Sequence, residues 1–480
     1  MALAKKHPAT KRVRKIKKAE SAHPSRKLAR ANQVRVALGS LNAVSLFSNC
    51  GAGDLGFARA GFRFKVMAEL DPRRLEVAIR NHVAAVGIPG DLRKTWRKVV
   101  SAYRDVVGAK PPALLAACPP CQGMSSARSG RGSWDDIDAG SRDERNLLVV
   151  VVAKVAKALK PRVVVVENVE AFLTRKVRHP RTGHGISAAA LLVELLTRDY
   201  DVFPLLANLA DFGVPQNRKR AFLTFVRKDE RGLRELQECG WAPYPRPEHA
   251  ADSKGLHHVT LAEALRELQL NALDASTPET AGSGLHSVPV WGRNHRYEMV
   301  AAIPSGSGGS AWQNSSCGSC AEMVRDENAA ECPKCKAVLP RPVVAGRNGR
   351  YRLIRGFRTT SYRRMRPDAP ASTITTASGH IGSDITLHPY ENRVLSIAEC
   401  AYLQTFPESF DWGDALERWG SSNVRAMIGE AVPPLFTYAH GQALVGMLTG
   451  TWTVGPLGIY DPRHQSAVGK LGLRRGATRD

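Results

Sequence analysis

Short apolar runs alternate with longer, partly polar stretches between residues 43 and 227. The short runs have the length and the turn-residue boundaries of buried strands, at 43–47, 64–68, 113–117, 163–166 and 221–226. The longer stretches predict helices, from Pro72 towards Val86, from Asn146 to Leu159, and over 191–197. Strands that alternate with helices predict an α/β fold with a mostly parallel sheet.

The alternation of predicted strands and helices stops near Asp229, and this change of pattern divides the chain into segments. The residues that follow are rich in glycine, serine and proline, with IPSGSGGS at 303–310, and helical patterns return only at 396–405 and 422–449. This composition predicts an inserted region of irregular structure between two parts of one domain. We expect five segments: a disordered basic tail (1–38), a first domain part (39–228), the insert (229–388), a second domain part (389–450) and a basic tail (451–480).

The charge balance narrows the class of partner. Among 480 residues, 69 are Lys or Arg and 44 are Asp or Glu, so the formal net charge is +25. A polyanion such as nucleic acid is the favoured partner, although ribosome-binding and membrane-surface proteins share this charge. No apolar run of about twenty residues and no signal peptide is present. We therefore expect an intracellular, cytoplasmic protein without a membrane partner.

The nine cysteines fall into two groups. Cys50, Cys118, Cys121, Cys239 and Cys400 are scattered, which is typical of a reducing compartment. The other four form two CxxC pairs, Cys317/Cys320 and Cys332/Cys335. This spacing predicts a structural zinc ribbon over 317–335, because four thiolates complete a tetrahedral site and leave no position open for catalysis. The alternative is four unligated cysteines in a loop-rich segment.

Candidate binding residues follow the first three strands. The first strand leads into the glycine turn FSNCGAGDLGF at 47–57, where backbone can approach a ligand and a helix presents its amino end. Glu69 ends the second strand and could accept ribose hydroxyls, while Asp91 follows the third and could accept from an adenine amine. Each acid alone is more typical of a surface residue at a strand end. Their order favours an adenosyl cofactor.

A candidate nucleophile follows the next apolar strand, in CPPCQGMS at 118–125. Prolines at the carboxyl end of a strand can expose Cys121 at the edge of a parallel sheet. The CxxC spacing of Cys118 and Cys121 also permits a redox or zinc pair, but two intervening prolines are unlike a thioredoxin-type helix start. The polar segment 126–142 is expected to act as a lid.

Further short motifs make a resemblance specific. ENV at 167–169, QNRKR at 216–220, SIAECAYLQTFP at 396–407 and IGEAVPP at 428–434 follow the two motifs above in this order. Together they resemble the DNA cytosine-5 methyltransferase family over about residues 43–227 and 345–447. The resemblance implies a Rossmann-like class I methyltransferase sheet, with the zinc-containing insert in the position of the target-recognition domain.

The resemblance also implies a reaction: transfer of a methyl group from S-adenosylmethionine to C5 of cytosine in duplex DNA, at a specific sequence. Cys121 would add to C6 of the flipped base, Glu167 would bind N3 and the exocyclic amine, and Arg220 and Arg218 would steady the base oxygen and a phosphate. Gln216 would brace the loop. The residues implied for the cofactor pocket are Phe47, Gly51, Glu69, Asp91, Pro120, Glu430 and Val432.

Three residues depart from the family pattern: Asn49 and Cys118 stand where glycine is usual, and Glu430 stands where asparagine is usual. Two alternative functions stay open, a transfer-RNA cytosine-5 methyltransferase and an inactive DNA-binding homologue. The intact Cys121 and Glu167 favour the enzyme. Expected partners are duplex DNA in the nucleoid and a cognate restriction endonuclease.

Overall fold

The computed structural model describes residues 41–120, 137, 143–238, 241–249, 256–346, 349–355, 360–451 and 457–459. The predictions made for the tail at 1–38, for Cys121, for nearly all of the lid at 126–142 and for most of the tail at 451–480 lie outside these residues. Among the described residues, no helix is both long and apolar enough to cross a membrane.

A seven-stranded sheet forms the centre of the part that the structure describes. Its strands are β1 Asn42–Leu46, β2 Arg63–Glu69, β3 Val86–Pro89, β4 Leu114–Ala117, β5 Val163–Asn168, β6 Tyr200–Asn208 and β7 Lys219–Arg227. They lie in the order β3-β2-β1-β4-β5-β7-β6, and β7 alone runs antiparallel to both of its neighbours. The predicted α/β fold with a mostly parallel sheet is therefore confirmed.

Helices cover both faces of this sheet. The helices of the described residues are α1 Ala52–Arg59, α2 Pro72–Asn81, α3 Leu92–Val107, α4 Val149–Leu159, α5 Ala188–Leu196, α6 Arg231–Glu238, α7 Leu261–Leu268, α8 His295–Ala301, α9 Ile397–Leu403, α10 Ala415–Glu430 and α11 Pro434–Thr449. Apolar residues of α3, α4 and α5 pack on one face, and those of α1, α2, α6 and α11 pack on the other. Both faces are buried, which is why the central strands are continuous apolar runs.

Two predicted helix bounds were wrong. The helix that begins at Pro72 ends at Asn81, because Val86 already belongs to the edge strand β3. Asn146 lies in a 3-10 turn, Glu144–Leu147, and α4 begins only at Val149. Neither β6 nor α3 was predicted from the sequence.

The remaining described elements are short. Two-stranded pairs join Lys176–Arg178 with Gly185–Ser187, Trp241–Pro245 with Leu457–Ile459, Gly282–Ser283 with His286–Ser287, and Val343–Ala345 with Tyr351–Leu353. Further 3-10 turns cover Glu170–Leu173, Leu209–Phe212 and Ala311–Gln313. The proposed segment bounds stay predictions. Within the segment assigned to the insert, Leu233, Leu236 and Tyr244 lie in the same apolar cluster as Phe436 of α11.

The first and last helices of the domain approach each other closely. Thr437 of α11 donates a hydrogen bond from Oγ1 to the carbonyl oxygen of Gly53 at 2.7 Å. A Cβ atom added at Gly56 would lie 2.0 Å from Thr437 Oγ1 and 2.3 Å from the carbonyl oxygen of Pro434. Only glycine permits this approach, so α1 joins the beginning of the domain directly to its end.

Replacing Gly56 by alanine should therefore destabilise the protein by about 1–3 kcal/mol, because an added methyl group has no space and must push the helices apart. The measurement is the free energy of unfolding in urea. Gly446→Ala, within α11, is the matched control, because the nearest atom to its added Cβ lies 3.8 Å away. That control should be neutral or stabilising by up to about 1 kcal/mol. Equal stability of the two variants would refute the close approach.

Candidate active site

A cavity opens at the carboxyl ends of β1, β4 and β5. Ligands of open α/β sheets bind at this edge, because the loops that follow neighbouring parallel strands meet there. The turn after β1, the loop after β4, the end of β5 and the chain between α10 and α11 line the cavity, including Phe47, Asn49, Gly53, Asp54, Cys118, Glu167, Glu430, Val432 and Thr437.

The turn after β1 has an unusual backbone. Phe47, Asn49 and Gly51 have φ angles of 57°, 48° and 76°. Glycine is required at position 51, since an added Cβ would lie 2.9 Å from His82 Cδ2. Asn49 stands where the family usually has glycine, but asparagine tolerates positive φ better than most residues. Its Nδ2 also donates to the carbonyl oxygen of Met427 at 2.8 Å.

Glu69 lies at the end of β2, as expected. Its carboxylate accepts hydrogen bonds from the backbone N–H groups of Asn49 and Leu70, each at 2.8 Å, and of Asp71 at 3.2 Å. Burial raises the pKa of this carboxyl, while the backbone bonds oppose that change. These contacts fix the carboxylate beside the turn that lines the cavity.

Asp91 and Pro120, also expected to bind the cofactor, do not line the described cavity. Asp91 caps α3 by accepting from Arg93 N at 2.9 Å, and it pairs with the Arg93 guanidinium at 2.8 Å. The Arg93 side-chain bond holds the pKa of Asp91 below its usual value. Pro120, half-buried, is the last described residue before Cys121. The cofactor roles of Asp91 and Pro120 stay predictions.

Glu430, which ends α10, and Val432, which lies between α10 and α11, form another part of the cavity wall. Glu430 makes an ion pair with Arg74 of α2, and both side chains are largely buried. An added Cβ at Gly53 would lie 3.3 Å from Val432 Cβ, so this wall touches the turn after β1. The glutamate that replaces the family's usual asparagine is thus matched by an arginine, which sequence reasoning missed.

Asp54 lines the cavity, and the sequence analysis missed it. It is buried in the first turn of α1, and its Oδ2 accepts from Ser45 Oγ at 2.8 Å. Burial raises the pKa of Asp54 to about 7. The only sequence signal was an acid inside a glycine turn, which is equally typical of an exposed helix start.

Glu167 lies at the end of β5 and is 6% exposed. Its Oε1 is 2.9 Å from Arg220 Nε, and its Oε2 accepts from Cys118 Sγ at 2.8 Å. Asn168 Nδ2 donates to the carbonyl oxygen of Pro119 at 2.9 Å, which joins the end of β5 to the loop that leads into Cys121. The structure therefore brings Glu167 and Arg220 together beside that loop.

Arg218 has different surroundings from Arg220. It is 1% exposed, and its guanidinium donates to the carbonyl oxygens of Ile374 at 3.0 Å, Gly429 at 2.9 Å and Ala431 at 3.0 Å. These contacts connect the loop before β7 to the cavity wall. Contact between Arg218 and the base or a phosphate stays a prediction.

The four paired cysteines converge, and their Sγ atoms all lie within 4.8 Å of one another. Cys317 Sγ is 3.5 Å from Cys335 Sγ, and Cys320 Sγ is 3.7 Å from Cys332 Sγ. The two CxxC turns have the same backbone hydrogen bonds: Cys317 N to Glu322 O and Ala321 N to Cys317 O, then Cys332 N to Ala337 O and Lys336 N to Cys332 O. Two equivalent turns thus present their thiols to one point.

The sheet order, with a cavity at its carboxyl edge and an antiparallel β7, defines the mixed α/β methyltransferase class of fold. The family model of the C-5 cytosine-specific DNA methylases matches residues 41–445, so the chain belongs to that family. It is a DNA (cytosine-5) methyltransferase, and the family implies S-adenosylmethionine as methyl donor.

Known proteins agree with this membership. The chain is 26% identical over 410 residues to the Type II methyltransferase M1.HgaI of Avibacterium volantium, covering 82% of this chain and 96% of that protein. It is 33% identical over 190 residues to the Type II methyltransferase M.NgoPII of Neisseria gonorrhoeae, covering 39% and 49%. A crystal structure described as a prophage DNA modification methyltransferase from E. coli shares the fold, with a TM-score of 0.52, 19% identity, and coverage of 85% of this chain and 99% of that one.

The raised pKa of Asp54 predicts a pH dependence of stability. Between about pH 4 and 7 the folded protein keeps a proton on Asp54 that the unfolded chain has lost, so the free energy of unfolding falls as pH rises through this window. Asp54→Asn has no such proton, and its stability relative to the wild type should rise across the window, by at most about 4 kcal/mol. Urea unfolding at pH 5 and pH 8 measures this difference.

Asp91→Asn is the control with the opposite sign, because the pKa of Asp91 is lowered and its ionised form stabilises the fold. Its stability relative to the wild type should fall as pH rises through the range below about pH 4, and should stay constant between pH 5 and pH 8. A pH-independent difference between Asp54→Asn and the wild type would contradict the burial of an ionisable Asp54.

Proposed function

We propose that this methyltransferase acts on a cytosine flipped out of duplex DNA at a specific sequence, with Cys121 as the nucleophile. The observation that carries the proposal is the carboxylate of Glu167, held by Arg220 beside the loop that leads into Cys121. The adjacent cavity lies at the carboxyl ends of β1, β4 and β5, the edge at which open α/β sheets bind their ligands. Base and methyl donor would therefore bind side by side.

The residues in their proposed roles account for the chemistry. C5 of cytosine is a poor nucleophile, so the Cys121 thiolate first adds to C6 and makes C5 electron-rich. Glu167 hydrogen-bonds N3 and the exocyclic amine, where negative charge accumulates, and Arg220 orients Glu167 and steadies the base oxygen. S-adenosylmethionine supplies the electrophilic methyl group when it is bound. Loss of the C5 proton then restores the ring and releases Cys121.

For the cofactor, we propose contacts with the seven residues expected from the sequence: Phe47, Gly51, Glu69, Asp91, Pro120, Glu430 and Val432. The cavity supports Phe47, Glu430 and Val432 directly, because all three line it. Gly51 and Glu69 shape and anchor the turn that borders it. We assign Arg218 to catalysis through the cavity wall, because its guanidinium holds the carbonyl groups of Gly429 and Ala431 on either side of Glu430.

The covalent mechanism makes a specific prediction. DNA with 5-fluorocytosine at the target site should trap a complex that survives denaturation, because fluorine at C5 cannot leave as the proton does. Cys121→Ser should slow trapping by at least about a hundredfold, since a hydroxyl is far less ionised and less nucleophilic than a thiol. Denaturing electrophoresis measures the trapped fraction over time.

Cys400→Ala is the matched control for loss of a thiol. Cys400 is buried on α9, and its Sγ lies 3.6 Å from Arg425 Nη1. This variant should trap at the wild-type rate. Undiminished trapping by Cys121→Ser would show that another residue is the nucleophile.

We also propose a structural zinc ion at Cys317, Cys320, Cys332 and Cys335. Zinc–sulfur bonds of about 2.3 Å in a tetrahedron place the sulfur atoms roughly 3.8 Å apart. The Sγ separations of 3.5 Å between Cys317 and Cys335 and of 3.7 Å between Cys320 and Cys332 support this geometry. The ion would add to the small apolar core of the module, in which Val324 and Leu339 are buried.

The zinc module is proposed to form part of the DNA-reading surface of the target-recognition region. Arg341 is fully buried and donates to the carbonyl oxygens of Asn314 at 2.6 Å, Ala329 at 2.8 Å and Val324 at 3.0 Å, which ties the module together. Basic side chains on and near the module are exposed, and we propose that they contact phosphates: Arg325, Lys334, Lys336, Arg350 and Arg352.

Removing the zinc ligands should separate recognition from cofactor binding. Cys332→Ser should lower the zinc content from about one ion per chain to near zero by elemental analysis, because a neutral hydroxyl is a poor zinc ligand. It should also abolish site-specific 5-methylcytosine in the DNA of cells that express it, while calorimetry still detects S-adenosylmethionine binding. Wild-type protein without metal, purified in the absence of chelator, would disprove the site.

The relatives support a biological setting. Both named relatives are Type II methyltransferases, and we propose that this chain likewise protects a recognition sequence in the cytoplasm, on nucleoid DNA, from a cognate restriction endonuclease. DNA from cells expressing the chain should then resist one endonuclease specificity and carry 5-methylcytosine within one recurrent sequence. Methylation without sequence preference would contradict this setting.

A further inference from the structure

The thiol of Cys118 occupies a position where the family usually has glycine, and it contacts a residue of the proposed reaction. Its Sγ donates to Glu167 Oε2 at 2.8 Å. Cys118 is half-buried and lines the cavity. Its backbone N–H donates to the carbonyl oxygen of Leu46 at 3.2 Å, so the thiol projects from a fixed backbone. Glycine at this position would leave Oε2 without this donor.

The two oxygens of Glu167 have partners of unequal strength. Oε1 faces the Arg220 guanidinium at 2.9 Å, a charge-assisted contact, whereas Oε2 faces a neutral thiol, which is a weak donor. A group that arrives to bond with Glu167 displaces the weaker partner at the lower cost. Oε2 is therefore the oxygen that can change partner while Arg220 keeps the side chain in place.

We propose that Cys118 is a positioning residue that holds Oε2 of Glu167 in the orientation for the target base and releases it when the base arrives. This inference rests on the proposed role of Glu167. The weak donor combines two properties: it fixes the carboxylate before the base binds, and its displacement costs little. A stronger donor, such as a second arginine, would compete with the base for the same oxygen.

The test measures the rate of trapping on 5-fluorocytosine DNA and the steady-state constants of Cys118 variants. Cys118→Ala should lower kcat/KM for DNA, and the trapping rate at DNA concentrations below KM, about three- to tenfold, because Glu167 is then less often correctly oriented when the base arrives. The value of kcat at saturating DNA and KM for S-adenosylmethionine should stay within about twofold, since the base has displaced the thiol in the bound complex. Cys118→Ser should restore the rate to within about twofold of the wild type, because a hydroxyl can also donate to Oε2.

A double-mutant cycle separates this role from a general loss of packing. In a Glu167→Gln background, the amide oxygen can accept from Arg220 and the NH₂ group then faces Cys118, so the thiol can no longer donate to this side chain. Adding Cys118→Ala should therefore slow trapping by less than about twofold, and the two effects should not multiply. Cys400→Ala is the control for thiol loss, and cofactor binding by calorimetry verifies that each variant folds. Should Cys118→Ala fail to fold, Cys118→Gly takes its place, with the family's usual residue.

The outcomes are distinct. Unchanged trapping by Glu167→Gln would overturn the proposed role of Glu167 and this inference with it. Slow trapping by Glu167→Gln together with wild-type kinetics of Cys118→Ala would overturn the inference alone. Effects that multiply in the double variant, or a serine variant as slow as the alanine variant, would show that the thiol does not act through its hydrogen bond to Glu167.

Discussion

The site depends on a buried hydrogen-bond network that joins the loop before β7 to distant parts of the chain. Gln216 is fully buried; its Oε1 accepts from Ile374 N at 2.8 Å, and its Nε2 donates to Gln404 Oε1 at 3.1 Å. Gln404 in turn donates to the carbonyl oxygen of Ile428 at 2.6 Å, and Arg218 binds the carbonyl groups of Gly429 and Ala431. Because each buried polar group would be costly without its partner, the network defines one arrangement of the two chain parts.

The same loop connects this scaffold to the chemistry. Two residues beyond the buried Arg218, Arg220 contacts Glu167 beside the cavity. The segment whose carbonyl groups Arg218 binds continues to Val432. Val432 packs against Gly53 in the first turn of α1. The cavity wall and the carboxylate are therefore positioned by one short segment, although the residues that they bring together are far apart in sequence. A change in this network should affect cofactor and base sites together.

The sequence predicted what depends on local pattern and failed where distant contacts decide. Apolar runs identified most strands of the sheet, and Glu69 was expected at a strand end beside the cofactor, where its carboxylate holds the turn that lines the cavity. The paired CxxC spacing located the convergent thiols. The pattern could not show that Asp54 is buried behind Ser45, that Arg218 serves three carbonyl groups, or that β3 ends the region predicted as helix after Pro72, because each depends on residues elsewhere in the chain.

The three departures from the family pattern share one physical feature. Asn49, Cys118 and Glu430 each bring a longer or more polar side chain to the cavity than the usual residue would, and each has a specific partner: the Met427 carbonyl, the Glu167 carboxylate and the Arg74 guanidinium. A polar group at the wall of a largely apolar cavity needs such a partner, since burial without one is costly. The departures therefore identify contacts that are particular to this chain, and Cys118 is the one whose partner also belongs to the proposed reaction.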